Sequence, residues 1–230
     1  MLQRLLGILT VADWAAVLLF LVGWTAYGYY ADRAASGSRG LRGITHDFRL
    51  HWARQMVRRD NRIVDAALTG NLMTSVSFYA NTTIYIIAGL IAVAGTLDRI
   101  ISFTEELPFA RAQTKEMIEA KVFLLTGVFI FAYFKFTWCL RQFNFLLILI
   151  GSAPDRESPA EVLEPHAVRF GTVNTLAGDE FNRGIRAYYF GFAVLGWFVH
   201  PALFIVLTSL ILLILWRRDF RSKTLRALAT

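Results

Sequence analysis

Cysteine occurs once, at Cys139, which excludes an internal disulfide and any metal site built from clustered thiolates. Charge is scarce too: 18% of the 230 residues are Asp, Glu, Lys or Arg, against roughly 25% in a soluble domain. Acids are missing where the chain is most apolar, since none falls inside an apolar run beyond its first residues. The four histidines, His46, His51, His166 and His200, are scattered. His46 and His51 stand five apart, off the four-residue spacing that stacks ligands on one helical face. No phosphate-binding G-x-x-x-x-G-K-[ST], H-E-x-x-H, G-x-S-x-G or C-x-x-C occurs. No catalytic residue, metal ligand or cofactor is assigned, and bound phospholipid is expected. Internal repeats and low-complexity tracts are absent.

What is present is apolar. Hydrophobic residues make up 56% of the chain, and the mean hydropathy is +0.47. A helix needs about 20 apolar residues to cross a hydrocarbon core of roughly 30 Å. Four runs qualify, at about 11–30, 72–97, 122–150 and 188–216. Aromatics crowd their ends, with Trp14, Tyr27, Tyr29, Tyr30, Tyr188, Tyr189 and Trp216 placed as an interfacial belt. Arg4 and the small residues after the first run have the layout of a signal peptide, but the run is long, and we read it as a membrane helix. The fold class is an all-α polytopic transmembrane bundle of four spanning helices forming a single membrane domain.

Three linkers join the runs. The first carries eight arginines, and its Ser36-Gly37-Ser38-Arg39-Gly40 portion reads as a turn. The second contains Pro108 and is mildly acidic; the third contains Pro154, Pro159 and Pro165 and six acids. From about 45 to 68 the first linker reads as a basic amphipathic interfacial helix. Phe48, Trp52, Met56 and Ile63 fall near one face, while Arg49, Arg54, Arg58 and Arg62 point elsewhere. With Arg59, these arginines and Trp52 form a candidate surface for anionic lipid, each cation contributing about 1 kcal/mol near an anionic leaflet. A solvated arm or a docking surface for another subunit is the plainer reading. Nucleic acid is excluded as a partner, because the arginines flank membrane helices and no nucleic-acid module is present.

Charge does not orient four crossings. The eight arginines of the first linker and the C-terminal Arg217, Arg218, Arg221, Lys223 and Arg226 both favour the cytoplasm, yet four crossings put them on opposite sides. A third run broken near 135–144 into a hairpin removes the conflict, but its halves are too short to cross. We expect four continuous helices, with both termini in the cytoplasm.

Ionisable groups inside a membrane mark candidate sites. Lys135 lies near the middle of the third run, Arg141 about 8–9 Å further along, and Gln142 shares the Lys135 face, while Asn144 lies near Arg141. With no acid at matching depth, the partners open to the two cations are an anion, another subunit's carboxylate, backbone carbonyls, or an interface reached by snorkelling. In the fourth run Pro201 cannot donate to the carbonyl of Trp197 and leaves it free, beside His200. Asn81, with Thr82 and Thr83, is central in the second run. Asn81, Lys135 and His200 sit near the midpoints of their runs, so a shared polar centre is one expectation. Ordinary helix-joining hydrogen bonds and a proline kink are the plainer one.

Five short stretches carry a resemblance: Arg59-Asp60-Asn61-Arg62-Ile63-Val64-Asp65, Phe78-Tyr79-Ala80-Asn81-Thr82-Thr83-Ile84, Phe134-Lys135-Phe136, Arg141-Gln142-Phe143-Asn144 and Phe181-Asn182-Arg183-Gly184-Ile185-Arg186-Ala187-Tyr188-Tyr189. Over nearly the whole chain they resemble an uncharacterised family of membrane proteins of bacteria and plants, domain of unknown function 599. The resemblance implies a four-helix membrane fold and supplies no activity. Twenty Arg against four Lys points to a GC-rich bacterial genome, hence a bacterial inner membrane. The expected role is a non-catalytic structural or lipid-binding subunit, assembled with itself or with a larger membrane complex. The alternative is a small oligomeric transporter or channel for an anion or proton.

Overall fold

The computed structural model describes residues 9–34, 40–97 and 114–229. Among these, every regular element is helical: α1 (Val11–Ala34), α2 (Leu41–Val57), α3 (Ile63–Gly95), α4 (Lys115–Gly151), α5 (Ala160–Val199), α6 (Pro201–Arg221) and the short α7 (Lys223–Leu228). Arg4, the turn at 36–39 and the Pro108 linker lie outside the described residues. Four helices are long and apolar enough to cross a membrane: Val11–Arg33, Ile63–Gly95, Lys115–Gly151 and Pro201–Leu228.

The third span is continuous over 37 residues, so the broken form does not occur. Thr114 caps it, accepting from the Met117 N–H at 3.3 Å. The fourth run is the one that divides. His200 is extended (φ −159°, ψ 141°) and ends α5; its side chain then caps α6 by accepting from the Ala202 N–H at 3.1 Å. Pro201 stands at the first helical position, where its missing N–H costs nothing. The chain reverses there. Trp197 stacks on Phe204 at 5.5 Å, and Arg218 lies over the Tyr189 ring at 5.7 Å. Residues 188–216 are therefore two arms of a helical hairpin, and not one crossing.

The third linker is also corrected, because most of it is the first half of α5. Pro159 is the N-cap of that helix and Pro165 lies in its second turn. At 1.5 Å per residue, α4 and α5 are each about 55–60 Å long. Three contacts fix their antiparallel register: His166 with the Leu149 carbonyl (2.8 Å), Lys135 with Glu180 (2.9 Å), and Lys121 Nζ donating to the Trp197 carbonyl (2.7 Å). That last carbonyl is the one Pro201 leaves free, and the lysine that satisfies it is 2% exposed.

The amphipathic segment at 45–68 is two elements. α2 ends at Val57, a turn follows, and Ile63 starts α3 with its N–H bonded to Asn61 Oδ1 at 2.9 Å. Arg62 closes the turn by donating to the carbonyls of Met56, Val57, Ala153 and Pro154. α2 packs on the first half of α5 and buries Ala53, Met56 and Val57. Trp52 meets Phe170 edge-on and donates to Asp65 at 2.6 Å, whereas Phe48 and Ile63 are exposed.

The molecule is a bundle in two tiers. One tier holds α1, α6 and the second half of α5, locked by Phe20 against Phe190 and Phe204. The other holds α2 and the first half of α5. α4 runs the length of both, with α3 beside it. Three of the short stretches behind the family resemblance, 78–84, 134–136 and 181–189, meet at the α3–α4–α5 seam. Tyr79 stacks on Phe136 at 5.5 Å and meets Phe181 and Tyr188 edge-on, and Thr83 shares a 2.8 Å hydrogen bond with the Tyr188 hydroxyl.

Candidate functional site

Where the tiers meet, charged groups from five helices form a waist. On α5, Asp179, Arg183 and Arg186 recur at spacings of four and three, which puts them on one stripe, with Glu180 beside it. Asp32, at the end of α1, accepts from Arg183 (2.8 Å) and Arg186 (2.9 Å). Glu180 pairs with Arg183 on its own helix and with Lys135 on α4 at 2.9 Å. Arg42 on α2 grips Asp179 through two nitrogens and also donates to the Asp32 carbonyl at 2.6 Å. On α6, Arg218 pairs with Asp219 at 2.9 Å, and Asp219 accepts from the Tyr27 hydroxyl at 2.7 Å.

These pairs surround a cavity of about 220 Å³. Arg42, Arg49, Arg186 and Arg218 line it together with Asp32, Asp179 and Asp219. The hydrogen bonds from Arg42 to Asp179 hold that guanidinium above the usual arginine value, against the opposing effect of burial. Burial lowers Arg49, partly offset by the field of Asp179. Arg49 makes no hydrogen bond and no ion pair among the described residues.

Lys135 is thus part of the waist, and the expectation that it lacks an internal counter-charge is overturned: Glu180 supplies it. That acid lies in a stretch taken from sequence as a linker. Arg141 is exposed over the Phe145 ring at 5.6 Å, and Asn144 is exposed near it. Gln142 is buried at the α4–α5 seam with its Oε1 unpaired. Asn81 faces outward from α3, and His200 caps α6 at the hairpin end, so Asn81, Lys135 and His200 do not meet. Among the arginines of the expected lipid surface, Arg49 faces the cavity. Arg54 pairs with Glu164 at 2.6 Å, Arg59 pairs with Asp65 at 2.6 Å, Arg62 holds the turn and Arg58 is exposed.

Sequence reasoning missed Asp32, Arg42, Asp179, Glu180, Arg183 and Arg186. The stripe Asp179–Arg183–Arg186 carried the signal, but the three prolines before it disguised the segment as a loop. A second polar knot was also missed, at the hairpin end. Trp197 donates from its ring to Asp13 at 2.8 Å, beside Lys121 on the Trp197 carbonyl. Among the described residues no group of three His, Cys, Asp or Glu side chains is placed to hold a metal ion.

Long apolar helices and a charged waist define the class: an all-α polytopic membrane protein whose buried polar groups are mostly paired within the chain. The chain belongs to the DUF599 family of proteins of unknown function, whose family model matches residues 15–224. No curated protein and no solved structure matches it.

Proposed function

We propose that the chain is a non-catalytic subunit of a bacterial inner membrane that binds anionic lipid and assembles with itself or with a larger membrane complex. The observation that carries the lipid reading is the distribution of charge along the bundle. Lys115 and Lys121 are the described basic residues at the hairpin end; every other described Lys and Arg lies at the waist or beyond it. This supports a cytoplasmic waist end by the positive-inside rule, where each cation near an anionic leaflet contributes about 1 kcal/mol. Arg141 supports the assembly part. It is an exposed cation on the apolar outer face of α4, among Phe134, Trp138, Phe145 and Ile148, with no ion pair among the described residues. An unpaired cation on an apolar face beyond the waist is favourable against a partner's acid.

Native mass spectrometry of the full chain in mild detergent tests both parts. The expected spectrum shows retained anionic phospholipid on an assembled species, and Arg141→Glu shifts the mass toward monomer. A lipid-free monomer from the native protein refutes the proposal. The transporter reading has lost its motivation, because the three residues that suggested a shared path do not meet.

A further inference from the structure

We propose that the cavity at the waist is a site for one phosphate group carrying a single negative charge. Four arginines and three aspartates line it. Three of these arginines pair with the three aspartates: Arg42 with Asp179, Arg186 with Asp32, which also accepts from Arg183 outside the lining, and Arg218 with Asp219. Arg49 is the cation left over, and it gives the lining one net positive charge. A guanidinium is a rigid fork of five donors that matches phosphate oxygens two at a time. Leaving such a fork half-buried and unmatched is costly, and an anion removes that cost.

Donors beyond Arg49 are in place. Arg186 uses Nη2 for Asp32, and Arg218 uses Nε for Asp219, so each keeps further N–H groups for an occupant. The volume of about 220 Å³ is below the roughly 300–1,000 Å³ of sites for drug-sized ligands. The occupant is therefore a small group and not a whole cofactor. Depth gives the third argument. Asp32 ends α1, while Asp219 and Phe220 end α6, so the cavity lies at the level where those two helices leave the apolar layer. A lipid phosphate sits at that level, and the proposal rests on the lipid-binding reading for the source of the phosphate, though not for the site.

Gly178 provides a second handle. A Cβ built there falls 2.3 Å from Arg49 Nη2 and 2.8 Å from its Cζ. Alanine at 178 therefore displaces the guanidinium while leaving its charge in the protein. Alanine also favours the helix over glycine, so this variant is expected to fold.

The test uses the full chain, purified in neutral detergent and stripped of lipid. Phosphatidylglycerol, phosphatidylcholine and inorganic phosphate are titrated separately, read by ligand-dependent thermal shift and by adduct mass. Native protein is expected to take phosphatidylglycerol in preference to phosphatidylcholine. Arg49→Gln is expected to weaken that binding by about tenfold or more, as for loss of a charge-assisted hydrogen bond. Gly178→Ala is expected to weaken it comparably, and Arg169→Gln, an exposed charge elsewhere on α5, to leave it unchanged. Binding of inorganic phosphate without phospholipid, lost in Arg49→Gln, sustains the site and refutes the lipid reading. Equal phosphatidylglycerol binding by native protein, Arg49→Gln and Gly178→Ala overturns the site and leaves the lipid reading standing. No binding of either probe overturns both and makes the cavity a hydrated space only.

Discussion

Replacing Lys135 by Met separates the sequence from the structure. Read from sequence, Lys135 is a cation with no acid at matching depth, so its replacement by a hydrophobic residue of similar length would break no ion pair within its helix. In the structure its ammonium is 2.9 Å from Glu180, whose side chain is 9% exposed, against 26% for Lys135. At an effective dielectric of about 20 the bare attraction at that distance is about 6 kcal/mol. Desolvation of both groups and the partial exposure of Lys135 leave a net coupling of about 1–3 kcal/mol. For a chain of this size each kcal/mol moves a thermal midpoint by about 2–4 °C, so Lys135→Met should lower it by about 2–12 °C. Glu180→Gln should cost more. That substitution removes the anion shared by Lys135 and Arg183, whereas Lys135→Met leaves Glu180 with Arg183. The double variant should then be less damaging than the two singles together. Cys139 supplies the assay: it is the only cysteine and is 0% exposed, so a thiol-reactive dye reports unfolding. A midpoint that rises in Lys135→Met, or strictly additive effects in the double variant, would refute the reasoning.

Further outcomes follow from other contacts. Gly184→Ala should destabilise by about 1–3 kcal/mol, because a Cβ there falls 2.5 Å from a ring carbon of Phe136; the same dye-detected melt checks it. Lys121→Met should cost about 1–3 kcal/mol by removing the donor to the Trp197 carbonyl, and the loss should be smaller in Lys121→Arg, which keeps a donor. The Arg54 hydrogen bond holds the Glu164 carboxyl below its ordinary value. Its stabilising effect is then complete above about pH 4.5, the unfolded value, and fades as pH falls below that. Melts of native protein and Glu164→Gln should differ at pH 6 and converge in acid; a gap that widens in acid contradicts the sign.

The legible part of this fold was its apolar arithmetic. The first three runs are helices, and their apolar length alone located them, since a spanning helix cannot hide its composition. The waist was illegible for two reasons. Hydropathy along a window reports apolar content and not direction, so two short arms with a tight turn between them look like one crossing. Proline was taken for a loop at 154–165 and for a kink at 201. In the fold Pro159 caps a helix and Pro201 begins one, the places where a proline's missing N–H and fixed φ are harmless. Reading His200-Pro201 as cap and first residue was open to the sequence and leads to the hairpin.

That hairpin also removes the contradiction over charge. Four straight crossings set the arginine-rich first linker and the basic C-terminal tail on opposite sides, and no assignment satisfied both. With the reversal at His200, α5 approaches the hairpin end and α6 returns beside it. Arg218 and Asp219 then come level with Tyr27 and Tyr189, next to Asp32 and Arg42. Both basic clusters now share one end, and α1 starts at the end opposite to where α6 finishes, so the expectation of two cytoplasmic termini gives way. The same reversal builds the waist. It brings the charged stripe of α5 against the ends of α1 and α6, so Arg42, Arg183 and Arg186 find acids that the linear sequence keeps more than 100 residues away. Among the described residues, Arg49 is the waist cation those pairings leave over.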